Sequence, residues 1–254
     1  MDAITGMHNA ARRYCFDLFS KWEGVKYGGI GRNAWLIRAV LDDIESLSPS
    51  DYSSPEELRQ MLMAAGQTAR DEWGEMGLSE GQQRALEDER RRFCKFIEDL
   101  DVETCMRGPR VPFRRVLKRA EAKAFNARFF QTWGRWYGGG CDRDDIPPNA
   151  TLHTDAMNDP AAYEAIRTAL RARGIARVFE WREWGHSYEM DIDLAEFQYT
   201  GAEGFWFMDS VEWMITASHE SSITFGSEWL IRAMRESLKE FDRYIYKGWD
   251  SNGY

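Results

Sequence analysis

Three carboxylates in one short run are the residues best placed to do chemistry. Tyr188-Glu189-Met190-Asp191-Ile192-Asp193-Leu194 alternates apolar and acidic side chains. In a β-strand, that period of two sets Glu189, Asp191 and Asp193 on one face, about 7 Å apart per step. Carboxylates this close repel and need a neutralising partner: water, an arginine or lysine, a metal ion, or a cationic protein. From Phe179 to Glu212, nine acidic residues stand against one base, Arg182. Trp181, Trp184, Tyr188 and Trp206 supply aromatic anchors in the same stretch. Two uses follow. In the first, an acidic, Trp-rich sheet surface binds a basic protein partner through Glu189, Asp191, Asp193, Trp184 and Tyr188, with His219 and Glu220 at a neighbouring turn. Such a field steers a cationic partner and speeds its association. In the second, Asp191 and Asp193 hold Mg²⁺ and the chain is a metal-dependent nucleotide- or phosphate-processing enzyme.

Other residue types give weaker chemistry. His219-Glu220 lies beside Ser218, Ser221 and Ser222, but adjacent residues in a turn diverge. A Ser–His–acid triad needs side chains converging from separate segments. His219 is read as capping the turn. His8, His153 and His186 are scattered, and no Cys/His cluster has zinc spacing. Cys15, Cys94, Cys105 and Cys141 form no C-x-x-C pair, which fits a reduced, cytoplasmic chain. Gly28-Gly-Ile-Gly31 lacks the preceding strand and the G-K-[ST] ending of a phosphate cradle, so it reads as a connector. Arg107 to Arg119 carries six bases and no acid. It reads as a basic linker that pairs with the chain's own acids, with weak nucleic-acid contact as its other use.

The elements that must position these residues divide into a front and a back. Residues 1–106 read as a helical domain. Met7, Ala11, Tyr14, Leu18 and Trp22 line one helix, and Leu36, Val40, Ile44 and Leu47 a second, begun by Asn33. Ser54-Pro-Glu-Glu57 and Ser79-Glu-Gly-Gln82 are capping boxes that open a third and a fourth. Gly108, Pro109 and Pro112 mark an aperiodic joint across 101–112. Residues 107–254 read as an α+β domain. Two helices there carry Phe125, Phe129 and Trp133, and Tyr163, Ile166 and Leu170. Closely spaced strands follow, which predicts an antiparallel meander. Glu212 to Phe225 is a hairpin turning at His219-Glu220. After Gly226 and Ser227, Leu230, Met234, Leu238, Phe241 and Ile245 trace one face of a helix predicted to run to Ile245 and to cover the sheet. The fold class is thus α+β: an N-terminal helical bundle, then an antiparallel sheet covered by a C-terminal helix, as a two-layer module.

Bulk composition limits the choices. The chain has 254 residues, 43% hydrophobic content and 11 Trp, enough for an aromatic-rich core. A net charge of −9 disfavours wholesale binding of nucleic-acid phosphates. No apolar run is long enough to span a bilayer, so no membrane partner is expected.

Three segments carry a resemblance: His8-Asn-Ala-Ala-Arg-Arg-Tyr-Cys15, Pro112-Phe-Arg-Arg-Val-Leu117, and Trp213-Met-Ile-Thr-Ala-Ser-His-Glu-Ser-Ser-Ile-Thr-Phe-Gly226. Together they resemble uncharacterised bacterial cytoplasmic proteins, which implies a bacterial origin and no particular activity. In composition alone, the acidic back half also resembles bacterial immunity proteins that neutralise cationic toxin nucleases. That likeness implies an immunity or phage-defence role. Asp191-Ile-Asp-Leu194 resembles the D-h-[DE]-h strand of nucleotidyltransferases, whose paired carboxylates hold Mg²⁺. That family also has a Gly-Ser turn opening a helix well upstream, whereas Gly185 and Ser187 here lie just before Asp191 and open none.

Overall fold

The computed structural model describes residues 1–22, 31–70, 77–137 and 140–246. Gly28 to Ile30 of the glycine run lie outside the described residues. The chain divides into two compact units, Met1–Val111 and Pro112–Tyr254.

The first unit is helical: α1 (Ala3–Trp22), α2 (Gly31–Ser46), α3 (Pro55–Thr68), α4 (Glu80–Glu98) and α5 (Val102–Arg107). The Ser79 capping box forms in full and the Ser54 one only in half, because the Glu57 carboxylate accepts from Ser53 N instead of Ser54 N. The Ser54 hydroxyl accepts from Glu57 N at the start of α3, and Ser79 and Gln82 exchange side-chain and backbone bonds at the start of α4. Met7, Ala11 and Cys15, one helical face, pack against Leu36, Val40 and Ile44 of α2 and Leu58 and Leu62 of α3. The aperiodic joint hides a short helix. Asp101 accepts a bond from Thr104 N at 2.8 Å and so nucleates α5, which six residues are too few to reveal by periodicity.

Polar groups are also buried in this unit. Arg12 Nε donates to Glu45 Oε1 at 3.0 Å, and the two side chains are 3% and 0% exposed. His8, 7% exposed, bonds through Nε2 to the Ile44 carbonyl at 2.9 Å. Burial drives its pKa from 6.5 down to about 4, the Ile44 carbonyl offsetting only part of the shift, so the ring is neutral.

The second unit holds β1 (Arg114–Val116), α6 (Arg119–Trp133), a small β2–β3 ribbon (Trp136–Tyr137, Gly140–Cys141), β4 (Asn149–His153), α7 (Pro160–Ala172), β5 (Arg177–Arg182), β6 (Tyr188–Asp191), β7 (Gly204–Phe207), β8 (Met214–Ser218), β9 (Ser222–Gly226) and α8 (Glu228–Ser237). Seven strands form one sheet in the order β1-β6-β5-β7-β8-β9-β4, every neighbouring pair antiparallel. The α+β class read from the periodicities is the one observed.

Its layering differs from the two layers expected. One sheet face, with Val178, Met190, Trp206, Ile215, Ile223 and Phe225, packs on Ile166 and Leu170 of α7 and Leu230 and Met234 of α8. The other, with Phe205, Phe207 and Met214, packs on Phe129 and Trp133 of α6. The central strands therefore have apolar side chains on both faces, as a sheet with helices on both sides requires. Gly226 admits the ring of Trp133: a Cβ there would lie 2.8 Å from Trp133 Cζ3 and 2.5 Å from Met214 Cγ.

The C-terminal helix is shorter than its stripe. It ends at Ser237, Leu238 is extended, and Glu240 takes φ 58° before a 3-10 turn over Phe241–Tyr244. The cause is the open edge of β4. Ile245 bridges antiparallel to Leu152, and Tyr246 N donates to Thr151 O at 2.8 Å, pairing backbone groups that a longer helix would have left bare.

Candidate partner-binding surface

The acidic run does not stand as three parallel carboxylates. Its strand stops at Asp191, and Ile192–Leu194 forms a 3-10 turn in which Ala195 N bonds to Ile192 O. Glu189 and Asp191 share the face that carries Phe179 and α6. Asp193 pairs with Arg171 of α7, the helix on the opposite face. The expectation that all three share one face is therefore corrected.

Each carboxylate also has a cation within the unit. Arg115 Nε donates to Glu189 Oε2 at 2.8 Å, and its two terminal nitrogens grip both oxygens of Glu121 at 3.0 Å. This guanidinium holds the Glu121 carboxyl below its usual range. Arg177 Nε reaches Asp191 Oδ1 at 3.1 Å, while Asp191 Oδ2 accepts from Phe113 N at 2.7 Å. These bonds fasten β1 and α6 to the sheet. Asp191 and Asp193 face different helices, and each meets a guanidinium. Among the described residues, no group of three His, Cys, Asp or Glu side chains is set to hold a metal ion.

Tyr188 is also corrected as an anchor: it is 3% exposed, in the core facing α7 and α8, with Arg114 stacked 5.0 Å from its ring centre. Trp206 is buried too. Of the basic linker, Arg107 pairs with Glu103 and Arg115 with Glu189 and Glu121, while Arg110, Lys118 and Arg119 are exposed. Among the described residues, no helix is long and apolar enough to cross a membrane.

The remaining site residues, Trp184, His219 and Glu220, gather at one end of the sheet. Three connections meet there: the β5–β6 loop with Glu183 and Trp184, the segment before β7 with Tyr199 to Glu203, and the β8–β9 turn with His219 to Ser221. Phe197 and Tyr199 lie in that irregular segment; Phe197 is buried against Trp206, with ring centres 5.5 Å apart. The three connections are tied together. Glu183 N bonds to Glu203 O at 3.0 Å and Arg182 reaches the Thr200 hydroxyl at 3.2 Å. Trp184 Nε1 donates to Gly201 O at 3.3 Å. That bond holds the indole outward, 61% exposed. Tyr199, 41% exposed, has its ring centre 6.2 Å from that of His219.

Glu203 organises this end, and sequence reasoning missed it. One oxygen, Oε1, accepts from Ser218 Oγ at 2.7 Å and meets His219 Nδ1 at 3.0 Å. An ionised carboxylate only accepts, so Nδ1 is the donor in this pair. The carboxylate stands between serine and histidine, so the Ser218 hydroxyl donates its hydrogen bond to Glu203 and not to His219. The order of a Ser–His–acid triad is not met. The only early sign of Glu203 was its membership of the acidic excess; nothing local ties it to a histidine sixteen residues on. Comparison with protein-family models, curated proteins and solved structures returns no match for this chain.

Proposed function

We propose that the chain is a non-enzymatic interaction protein that docks a basic partner on the loop end of its sheet. The observation that carries this reading is Trp184, an indole held out of the fold by its own N–H. A large exposed aromatic fixed in one orientation loses little freedom on binding, which favours it as an anchor. Tyr199 stands on the neighbouring segment as a second aromatic. Glu183 adjoins Trp184 in the β5–β6 loop and Glu220 adjoins His219 in the β8–β9 turn, and their negative charge complements lysine or arginine on a partner. Neutralisation of Glu189, Asp191 and Asp193 from within shifts the docking surface from the face of β6 to the end of the strands. An immunity or phage-defence role, in which an acidic protein blocks a cationic toxin, is the finer form of this reading.

The test uses three baits: the wild-type chain, Trp184→Ala and Glu183→Lys. A basic protein captured by wild type is purified and titrated against all three by calorimetry. The reading expects a clear loss of affinity for both variants and weaker binding at raised salt. Equal affinity for the three baits would refute it, as would a captured partner that is acidic.

A further inference from the structure

The helical unit holds a cavity of about 490 Å³ between α1, the end of α4 and α5. Cavities of roughly 300–1,000 Å³ take small organic molecules. Its wall is apolar, with Leu18 and Leu100 beside the rings of Tyr14 and Phe96, whose centres are 4.6 Å apart. The Tyr14 hydroxyl donates to Glu89 at 3.3 Å, which fixes that ring. Asp17, Asp99 and Asp101 stand at its mouth with one guanidinium, that of Arg13, and Asp99 is held by the Lys95 ammonium at 2.7 Å. Arg13 is engaged elsewhere, donating to Pro109 O at 2.5 Å. Asp101 uses Oδ2 to hold Thr104 N and Oγ1, which leaves Oδ1 to accept from a guest.

We propose that this cavity binds a small organic amine, its ammonium at the aspartate mouth and its aryl or alkyl body against Tyr14 and Phe96. The aromatic pair suits both parts, since ring faces attract cations as well as apolar surface. An anionic guest would meet the carboxylates of Asp17 and Asp101, which a neutral one would leave unused. The site is separate from the docking surface and does not depend on it.

Phenethylamine is the probe, and 2-phenylethanol is its uncharged counterpart of nearly the same shape. Calorimetric titration should show saturable amine binding, with the alcohol about fivefold weaker because it forms no ion pair. Asp17→Lys should weaken the amine about tenfold and leave the alcohol unchanged. Thr104→Trp, a bulky side chain at the mouth, should exclude both. Asp17 and Thr104 are exposed, so both variants keep the core intact. Glu236→Lys on α8 is the remote charge control and should change neither. Three results would overturn the proposal: equal affinity for amine and alcohol, loss with Glu236→Lys as large as with Asp17→Lys, or no saturable binding.

Discussion

Acid should loosen the helical unit through one histidine. His8 is buried and neutral, with a pKa held from 6.5 down to about 4 by loss of hydration. In the unfolded chain the ring regains its ordinary value. The unfolded state therefore binds a proton that the folded state refuses as pH falls from 6.5 towards 4. Stability from this group is fully present above 6.5 and is lost across that window. At pH 5 the unfolded ring is almost wholly charged and the folded ring almost wholly neutral, a penalty of about 2 kcal/mol. Below pH 4 the loss levels off near a ceiling of about 3.5 kcal/mol, for a fall from 6.5 to about 4 at roughly 1.4 kcal/mol per pH unit. Urea unfolding followed by circular dichroism at pH 7 and pH 5, on wild type and His8→Gln, isolates the effect. The variant should lose about 2 kcal/mol less than wild type over the same interval, since glutamine does not titrate. Equal losses would refute the reasoning, as would a His8 ring that titrates near 6.5 by NMR.

Gly226→Ala should destabilise the sheet by about 1–3 kcal/mol in chemical denaturation, because the new methyl meets the Trp133 ring and Met214 in a packed layer. Glu45→Ala should cost up to about 3–5 kcal/mol by removing the carboxylate that Arg12 Nε donates to in the core; Arg12→Met with Glu45→Leu should recover most of it, and failure to do so would argue against the lost charge pairing as the cause. Arg115→Gln should raise the Glu121 pKa towards its ordinary value by NMR titration, and should cost only about 1 kcal/mol because the guanidinium is 35% exposed.

Periodicity carried much of the fold and less of the site. Tyr188 and Met190 alternate with Glu189, and Leu230 and Met234 repeat at helical spacing; these signals are local, so the strand and the start of α8 were legible. Asp193 was not, because a strand and a strand ending in a 3-10 turn share the same apolar–acidic pattern. The basic linker was read as pairing with the chain's own acids, as Arg115 does, but which acids the neutralising arginines meet was not legible. Arg115, Arg171 and Arg177 come from β1, α7 and β5, and only the folded sheet sets them beside the acids. Leu238 and Ile245 kept helical spacing, yet the unpaired edge of β4 outweighed it. At the loop end, Trp184 and His219 were legible by type, while Glu203 between them emerged only from the register of β7 against β8.

The bridge of Ile245 and Tyr246 onto β4 gives the chain's last described residues a protective duty. Bare strand margins recruit other strands, and proteins blunt them by shortening, charging or covering them. Here β1 is three residues long and carries two arginines, whereas the far margin relies on this returning segment alone among the described residues. A chain cut after Ser237 would keep α8 and the acidic loops but present the outer side of β4 to its neighbours, making it prone to self-association.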